Sequence, residues 1–445
     1  MKAYPVDGEV GRFSFDTYSL INVNGEEWYN TAKEFFPPLQ GTERYRTEGF
    51  NEIALIYGVT EGSFRKTSKL INRVRHQEEG GTPSRRLNDH TENEGKQLQK
   101  YFEEKTESIL EENGFTSEGP PEKLLIDNFS SIALEDKDLE NLINECAIEK
   151  QVKDSLIKNP IAEDEDPENL INECAIEEQV KDAIIKNPVA YENAEQTVHI
   201  SLDDVCTKQQ KETRKSKKQE NSNGKTRQYV QNTVIHVQKG ENSYLLNGHG
   251  VIWTLKLLLA FLLNNHLIGL NLVFFVDGHS LYSTVILFFA WHNKISVILD
   301  WFHLEKKCKE RLSMALKGSK IRNGVLEKLM PLLWHGLVDE AMDYLKNLPQ
   351  ELIRNEEQIQ SLIDYLEKNK PMIPVYSIRK RLGLRNSSNR VEKANDLIVA
   401  ERQKHMGMAW SKSGSVALAS LTSIKKNQEY KKWFHERKIE FKLAS

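Results

Sequence analysis

Cysteine is scarce in this chain: four residues among 445, Cys146, Cys174, Cys206 and Cys308, with no CxxC pair. That excludes a small disulfide-stapled secreted scaffold and leaves the expectation of reduced thiols in a cytoplasmic protein. An apolar signal core is lacking too, since the chain begins Met1-Lys2-Ala3-Tyr4-Pro5-Val6-Asp7. A clean membrane span is also missing. The one tempting run, Trp253 to Val276, is interrupted by Lys256, Asn264, Asn265, His266 and Asn271, and reads as a buried helix followed by a buried strand. Net charge is nearly absent, at -4, so the overall balance does not by itself point to nucleic acid.

What is present is a hydrophobic content of 39% and a charged content of 28%, the balance of a globular protein long enough for roughly two to four domains. The small net charge hides a segregation. Acidic residues gather between Glu135 and Glu195, whereas Lys208 to Arg227 and Lys425 to Lys442 are basic, so local fields matter more than the sum.

Residues 1–45 alternate aromatic and polar groups without a clear period and read as a small N-terminal segment. Within 46–115, Asn51 to Tyr57 reads as a short helix, Gly58-Val59-Thr60 as a turn with Gly58 at positive φ, and Glu61 to Arg75 as a second helix capped by Thr60. This is the pattern of a helix-turn-helix. Ser63, Arg65, Lys66, Lys69, Arg73 and Arg75 suit phosphates and base edges, although a solvated basic helix has the same composition. Glu92 to Asn113 follows as a charged helix.

Residues 116–196 form an acidic helical linker with a nearly verbatim duplication: Glu140 to Glu149 recurs as Glu168 to Glu177. Two copies are too few for a solenoid. Each reads as an amphipathic helix stopped before Asn159-Pro160 or Asn187-Pro188, a surface spacer in preference to a dimer contact.

From about residue 197 the texture becomes β-β-β-α-β-α-β. The strands are Val198 to Asp204, Tyr229 to Val237, Ser243 to Leu246, Leu272 to Val276 and Ile295 to Leu299; the helices are Val251 to Asn265 and Ser280 to His292. Leu272-Val273-Phe274-Phe275-Val276 is a buried strand by composition, and it delivers Asp277-Gly278 to a strand tip, where open α/β sheets place their chemistry. A plain Asp-Gly turn is the alternative. Residues 301–385 read as an all-helical insertion broken at Pro331 and Pro349, and Asn386-Ser387-Ser388-Asn389 as the cap of a helix from Arg390 to His405 that carries Glu392 in its first turn. The remainder, 386–445, closes the α/β region and ends in a basic tail.

An acidic residue on the first strand, another after the fourth and a third on a late helix is the ribonuclease-H-like order, a mixed α/β sheet interrupted by a helical insertion. The segments Ile200 to Lys208, Phe275-Val276-Asp277-Gly278, Asp300-Trp301-Phe302-His303 and Asn386 to Asn395 together resemble bacterial insertion-sequence transposases of the Mutator-like DDE class. The resemblance runs from about Val198 to Trp433. It implies a catalytic and metal-binding triad of Asp203, Asp277 and Glu392. Asp204 is the alternative first carboxylate; strand alternation sends the two neighbours to opposite faces, and Asp203 is preferred because it follows apolar Leu202.

Asp300 and His303 resemble that family's aspartate-or-cysteine, two residues, histidine motif, serving either to position DNA or to hold the insertion. Gly407-Met408-Ala409-Trp410 resembles the motif after the catalytic helix, with Trp410 either buried or stacked on a base. Two Mg²⁺ ions, replaceable by Mn²⁺, suit three carboxylates and in-line cleavage of a phosphodiester. Lys208, Lys211, Arg214 and the following basic run would meet phosphates of double-stranded DNA, or form a solvated loop. The resulting expectation is a DDE transposase that binds, cuts and joins element ends as a homo-oligomer. The alternatives are a non-catalytic DNA-binding descendant and a structure-specific nuclease.

Overall fold

The computed structural model describes residues 2–8, 11–17, 19–25, 27–30, 45–76, 81–116, 119–121, 140–141, 143, 175–191, 194–210, 228–387, 393–405 and 408–443. Glu392, Lys211, Arg214, Gly407, Cys146, Cys174 and most of the duplicated linker lie outside the described residues.

The N-terminal segment holds strands that its sequence pattern did not announce: β1 (Lys2–Gly8), β2 (Gly11–Thr17), β3 (Ser19–Ile21), β4 (Glu27–Asn30) and β5 (Tyr45–Arg46). β1 pairs antiparallel with β2 and parallel with β5, and β3 pairs with β4.

Three helices follow, α1 (Glu48–Thr60), α2 (Phe64–Val74) and α3 (Ser84–Glu112). Their boundaries correct the sequence expectation. Thr60 is the last residue of α1 and bonds back to the carbonyl of Ile56 at 2.6 Å; Ser63 caps α2, accepting from the amide of Lys66 at 3.2 Å. Gly58 does not turn the chain. It sits inside α1, where a Cβ would come 3.1 Å from Thr91 Oγ1 on α3, so its smallness lets two helices touch.

The sheet is mixed and five-stranded, in the order β8-β7-β6-β9-β10. β6 (Thr197–Lys208), β7 (Tyr229–Lys239) and β8 (Asn242–Gly248) form an antiparallel meander, while β9 (Asn271–Val276) runs parallel to β6 and β10 (Ile295–Leu299) parallel to β9. Before them lies α4 (Ala175–Lys186), the second copy of the duplication, ending at Asn187-Pro188 as its sequence implies. It is more than a spacer. A 3₁₀ turn over Pro188–Tyr191 buries Tyr191, whose hydroxyl accepts from the amide of Val375 at 2.8 Å, and Asn187 donates to Ser296 Oγ at 2.9 Å on β10.

All six residues of β9 are buried, because α5 (Val251–Asn264), a leucine-rich helix, and α6 (His279–Phe288) help to cover the sheet. α6 stops short of the expected His292. That imidazole instead clamps the turn, with Nε2 2.7 Å from the carbonyl of Ile268 and Nδ1 accepting from the amide of Lys294 at 3.0 Å.

The helical insertion comprises α7 (Trp301–Ala315), α8 (Ser319–Trp334), α9 (Val338–Lys346), α10 (Glu356–Asn369) and α11 (Tyr376–Arg381). Pro331, expected as a break, is carried inside the last turn of α8, where one forfeited hydrogen bond is tolerated. The chain then returns through a π-helix, Asp396–Lys404, and through α12 (Lys412–Lys426) and α13 (Tyr430–Glu436).

α12 packs on β7, β8 and α3, and at Gly95 of α3 a Cβ would meet Ala417 Cβ at 2.5 Å. The N-terminal helical region is thereby joined to the sheet. The C-terminal tail is equally integrated: Phe441 is 1% exposed and its carbonyl accepts from Asn264 Nδ2 at 2.8 Å. Among the described residues, no helix is long and apolar enough to cross a membrane.

Candidate active site

Strand register brings the two candidate aspartates together. β6 and β9 pair in parallel from Thr197↔Asn271 to Ser201↔Phe275. Continued by two residues, the same register sets Asp203 level with Asp277, where β9 has just ended. β9 and β10 pair up to Val276↔Leu299, so one further step sets Asp277 level with Asp300. Asp203, within β6, therefore stands level with Asp277 and Asp300, which directly follow the ends of β9 and β10. β6 is buried on both faces through Leu202 and then begins to emerge at Asp203, which places a carboxylate at the boundary between core and cleft.

The Asp203 carboxyl is pushed up to about 6. Burial is the largest cause; the hydrogen bond from the amide of Asp204, 2.8 Å from Oδ1, opposes it, the negative charge of Asp277 adds to it, and His303 opposes it again. Asp203 Oδ2 accepts a hydrogen bond from Asn395 Nδ2.

Asp204 is turned away and engaged elsewhere: Thr233 Oγ1 donates to its Oδ1 at 2.6 Å and Gln231 Nε2 to its Oδ2 at 2.5 Å, both from β7. Alternation along β6 thus leaves Asp203 as the carboxylate that shares a site with the exposed Asp277.

Asp300 is 1% exposed and caps α7, accepting from the amides of Phe302 at 2.7 Å and His303 at 3.2 Å. His303 Nδ1 lies 3.6 Å from Asp300 Oδ1. The motif thus fixes the start of the insertion while keeping the imidazole close enough to act on Asp203. Tyr365, on α10 of the insertion, is also near: burial first, then the charges of Cys308, Asp277 and Asp300, hold its hydroxyl far above the ordinary phenol range. Asn369, one turn further on, places Oδ1 3.8 Å from where a Gly278 Cβ would stand.

Trp410 takes the buried alternative. At 5% exposure its Nε1 donates to the carbonyl of Gln403 at 3.2 Å, and its backbone pairs with the end of β6 through Lys208 and Gln210. Its ring meets Phe64 edge-on at 6.3 Å, with the guanidinium of Arg402 5.3 Å from the Trp410 ring centre.

On α2, Arg65, Lys66, Lys69 and Arg73 are exposed, as a phosphate-binding face requires. Arg75 is not part of it. It is 3% exposed, lies 4.5 Å over the Phe50 ring and donates to Thr82 Oγ1 at 3.3 Å. Lys208 is exposed at the end of β6, close in sequence to Asp203.

Asn395 and Tyr365 were missed as neighbours of the two aspartates by sequence reasoning. Asn395 closes the Asn386 to Asn395 motif, but its bond to Asp203 spans 192 positions and has no local signature.

Among the described residues no three His, Cys, Asp or Glu side chains form a ready metal centre. The donor set of Asp203 and Asp277 nevertheless fits a hard divalent ion, which takes one or two carboxylates and keeps several waters. Burial and the charge of Asp277 both disfavour the ionised carboxyl of Asp203, a cost that a cation would relieve. No protein-family model matches the chain, and no curated protein matches it either.

Proposed function

We propose that this chain is a metal-dependent DNA-cutting and DNA-joining enzyme with a ribonuclease-H-like core, a transposase of the Mutator-like DDE kind that its motifs resemble. The observation that carries the reading is the register that sets Asp203 on β6 level with Asp277 beyond β9. A meander followed by two parallel strands, in the order β8-β7-β6-β9-β10, supports the core assignment.

Asp203 and Asp277 would hold Mg²⁺ or Mn²⁺, with Glu392 assigned as the third carboxylate by the motif alone. When bound, such ions activate a water or a 3′-hydroxyl and stabilise the leaving oxygen of a phosphodiester. The chain's own part is positional. The amide of Asp204 and the Asn395 carboxamide fix the two oxygens of Asp203, and the Asp300 cap aims His303 toward it. The exposed cations Arg65, Lys66, Lys69 and Arg73 on α2, with Lys208 at the end of β6, would neutralise phosphates of double-stranded DNA. Two ends must be held for joining, which motivates a homo-oligomer on DNA.

The test is a cleavage and strand-joining assay in Mg²⁺ on labelled DNA carrying the ends that flank the gene, comparing the natural protein with Asp277→Asn. Cutting and joining by the natural protein, with binding alone by the variant, is the expected result. Equal binding with no cutting by either protein, in Mn²⁺ as well, would replace the enzyme by a non-catalytic DNA-binding protein; cutting without joining would indicate a nuclease.

A further inference from the structure

Resting on the metal-centred reading above, we propose that Asn395 supplies a neutral oxygen ligand, Oδ1, to the cation held by Asp203. Asn395 is 6% exposed, and its side chain stands at Asp203 because Nδ2 donates to Asp203 Oδ2.

That bond fixes the orientation of the carboxamide. A carboxylate oxygen only accepts when ionised, so the NH₂ must face Asp203 and the carbonyl oxygen must face away from that contact. Oδ1 is buried and has no hydrogen-bond partner among the described residues. A buried amide oxygen left without a partner is costly, and such atoms call for an explanation such as an absent ion or water.

Chemistry favours the ion. The site already gathers the carboxylates of Asp203 and Asp277, and Oδ1 adds an acceptor without adding a third negative charge to a pair whose charges already oppose each other. Neutral Asn oxygens are established Mg²⁺ ligands beside an aspartate in phosphoryl-transfer sites of unrelated folds. The local backbone is in keeping with a ligand role, because Asn395 directly precedes the π-helix Asp396–Lys404, and π-turns occur frequently at functional sites.

A purely positioning role, in which Asn395 only steadies Asp203, predicts a different dependence on the metal. The deciding experiment measures Mn²⁺ and Cd²⁺ binding by calorimetry on the full chain, without DNA, for the natural protein, Asn395→Ala, Asn395→Asp and Asn395→Cys. Melting temperatures in chelator establish that each variant folds.

The expected result is an Mn²⁺ affinity about tenfold or more weaker in Asn395→Ala and retained in Asn395→Asp. In Asn395→Cys, preference should turn toward Cd²⁺, because a soft sulfur replaces a hard oxygen in direct contact with the ion. An unchanged Cd²⁺ to Mn²⁺ ratio in Asn395→Cys, with Mn²⁺ still bound by the natural protein, would overturn the ligand role and leave the metal-centred reading standing. Absence of Mn²⁺ binding by the natural protein would overturn both together. Should Asn395→Cys not fold, comparison of Asn395→Ala with Asn395→Asp decides: equal loss in the two overturns the proposal.

Discussion

Arg402 lies over the ring of Phe64, its guanidinium carbon 4.7 Å from the ring centre, although 338 positions separate the two residues in sequence. Arg402 belongs to the π-helix that begins beside Asn395, and Phe64 opens α2. From there the guanidinium donates to the carbonyls of Gly58 at 3.2 Å and Gly62 at 3.1 Å, at the junction of α1 and α2. The element that touches Asp203 is thus tied to the junction of α1 and α2.

Removing this plug should loosen the tie. Arg402→Ala is expected to lower the unfolding free energy by about 2 to 3 kcal/mol, because it strands two carbonyl acceptors and empties the space between Phe64 and Trp410. Arg402→Lys should recover little, since an ammonium cannot cover both rings and reach both carbonyls. Urea denaturation followed by tryptophan fluorescence reads both. A loss below about 0.5 kcal/mol for Arg402→Ala would show that the plug contributes little.

Asp203 and Asp204 should part company when each is changed to Asn. Asp203→Asn removes a buried charge that opposes Asp277, so the metal-free protein is expected to gain stability while divalent-ion binding and DNA cleavage are lost. Asp204→Asn weakens the bonds from Thr233 and Gln231 and is expected to cost about 1 kcal/mol with activity kept. Thermal melts in chelator beside the cleavage assay separate the two. Loss of cleavage in Asp204→Asn with activity retained in Asp203→Asn would reverse the assignment.

Buried histidines contribute to the loss of stability in acid. Burial, then the charges of Arg379 and Arg385, pulls His199 down to about 3, and burial alone pulls His335 down to about 4. Unfolded, both titrate near the ordinary value of 6.5. Between about 6.5 and these lowered values the unfolded chain therefore binds more protons, so their contribution to stability is complete above that range and is lost as pH falls through it. His335 sits 2.9 Å from Ser377 Oγ. Replacing it by Gln is expected to flatten the fall in stability between pH 6.5 and 4, read by urea titrations at several pH values. A slope equal to that of the natural protein would exclude His335 as a source.

Much of this architecture was legible because its signals are local. The apolar run of β9 and the leucine-rich α5 report burial directly, and period-two alternation along β6 separates Asp203 from Asp204 before any coordinates are known. The meeting of Asp203 with Asp277 is less local, since it depends on a parallel register that sequence alone does not state. What could not be read is what depends on contacts between distant segments. Gly58 has the composition of a turn residue, yet it serves a helix crossing. Arg75 continues the basic pattern of α2, yet it turns inward to Phe50 and Thr82. Nothing around Arg402 distinguishes it from a solvated arginine until Phe64, 338 positions away, packs on it beside the nearby Trp410.

The contrast between Arg75 and its exposed neighbours gives the clearest test of DNA binding by α2. Each cation that meets a phosphate releases condensed counterions, so log affinity falls with log salt by about 0.9 per contact. Replacing Arg65, Lys66 and Lys69 together by Ala is expected to weaken binding to duplex DNA and to lower that slope by up to about 2.7. All three are exposed, so the melting temperature should stay near that of the natural protein. Arg75→Ala should do the reverse, lowering the melting temperature through loss of its contacts with Phe50 and Thr82 while leaving the salt slope of the folded fraction unchanged. Fluorescence anisotropy over a series of salt concentrations supplies the slopes. An unchanged slope in the triple variant would remove α2 from the DNA interface and leave Lys208 and the basic run after it as the electrostatic contact.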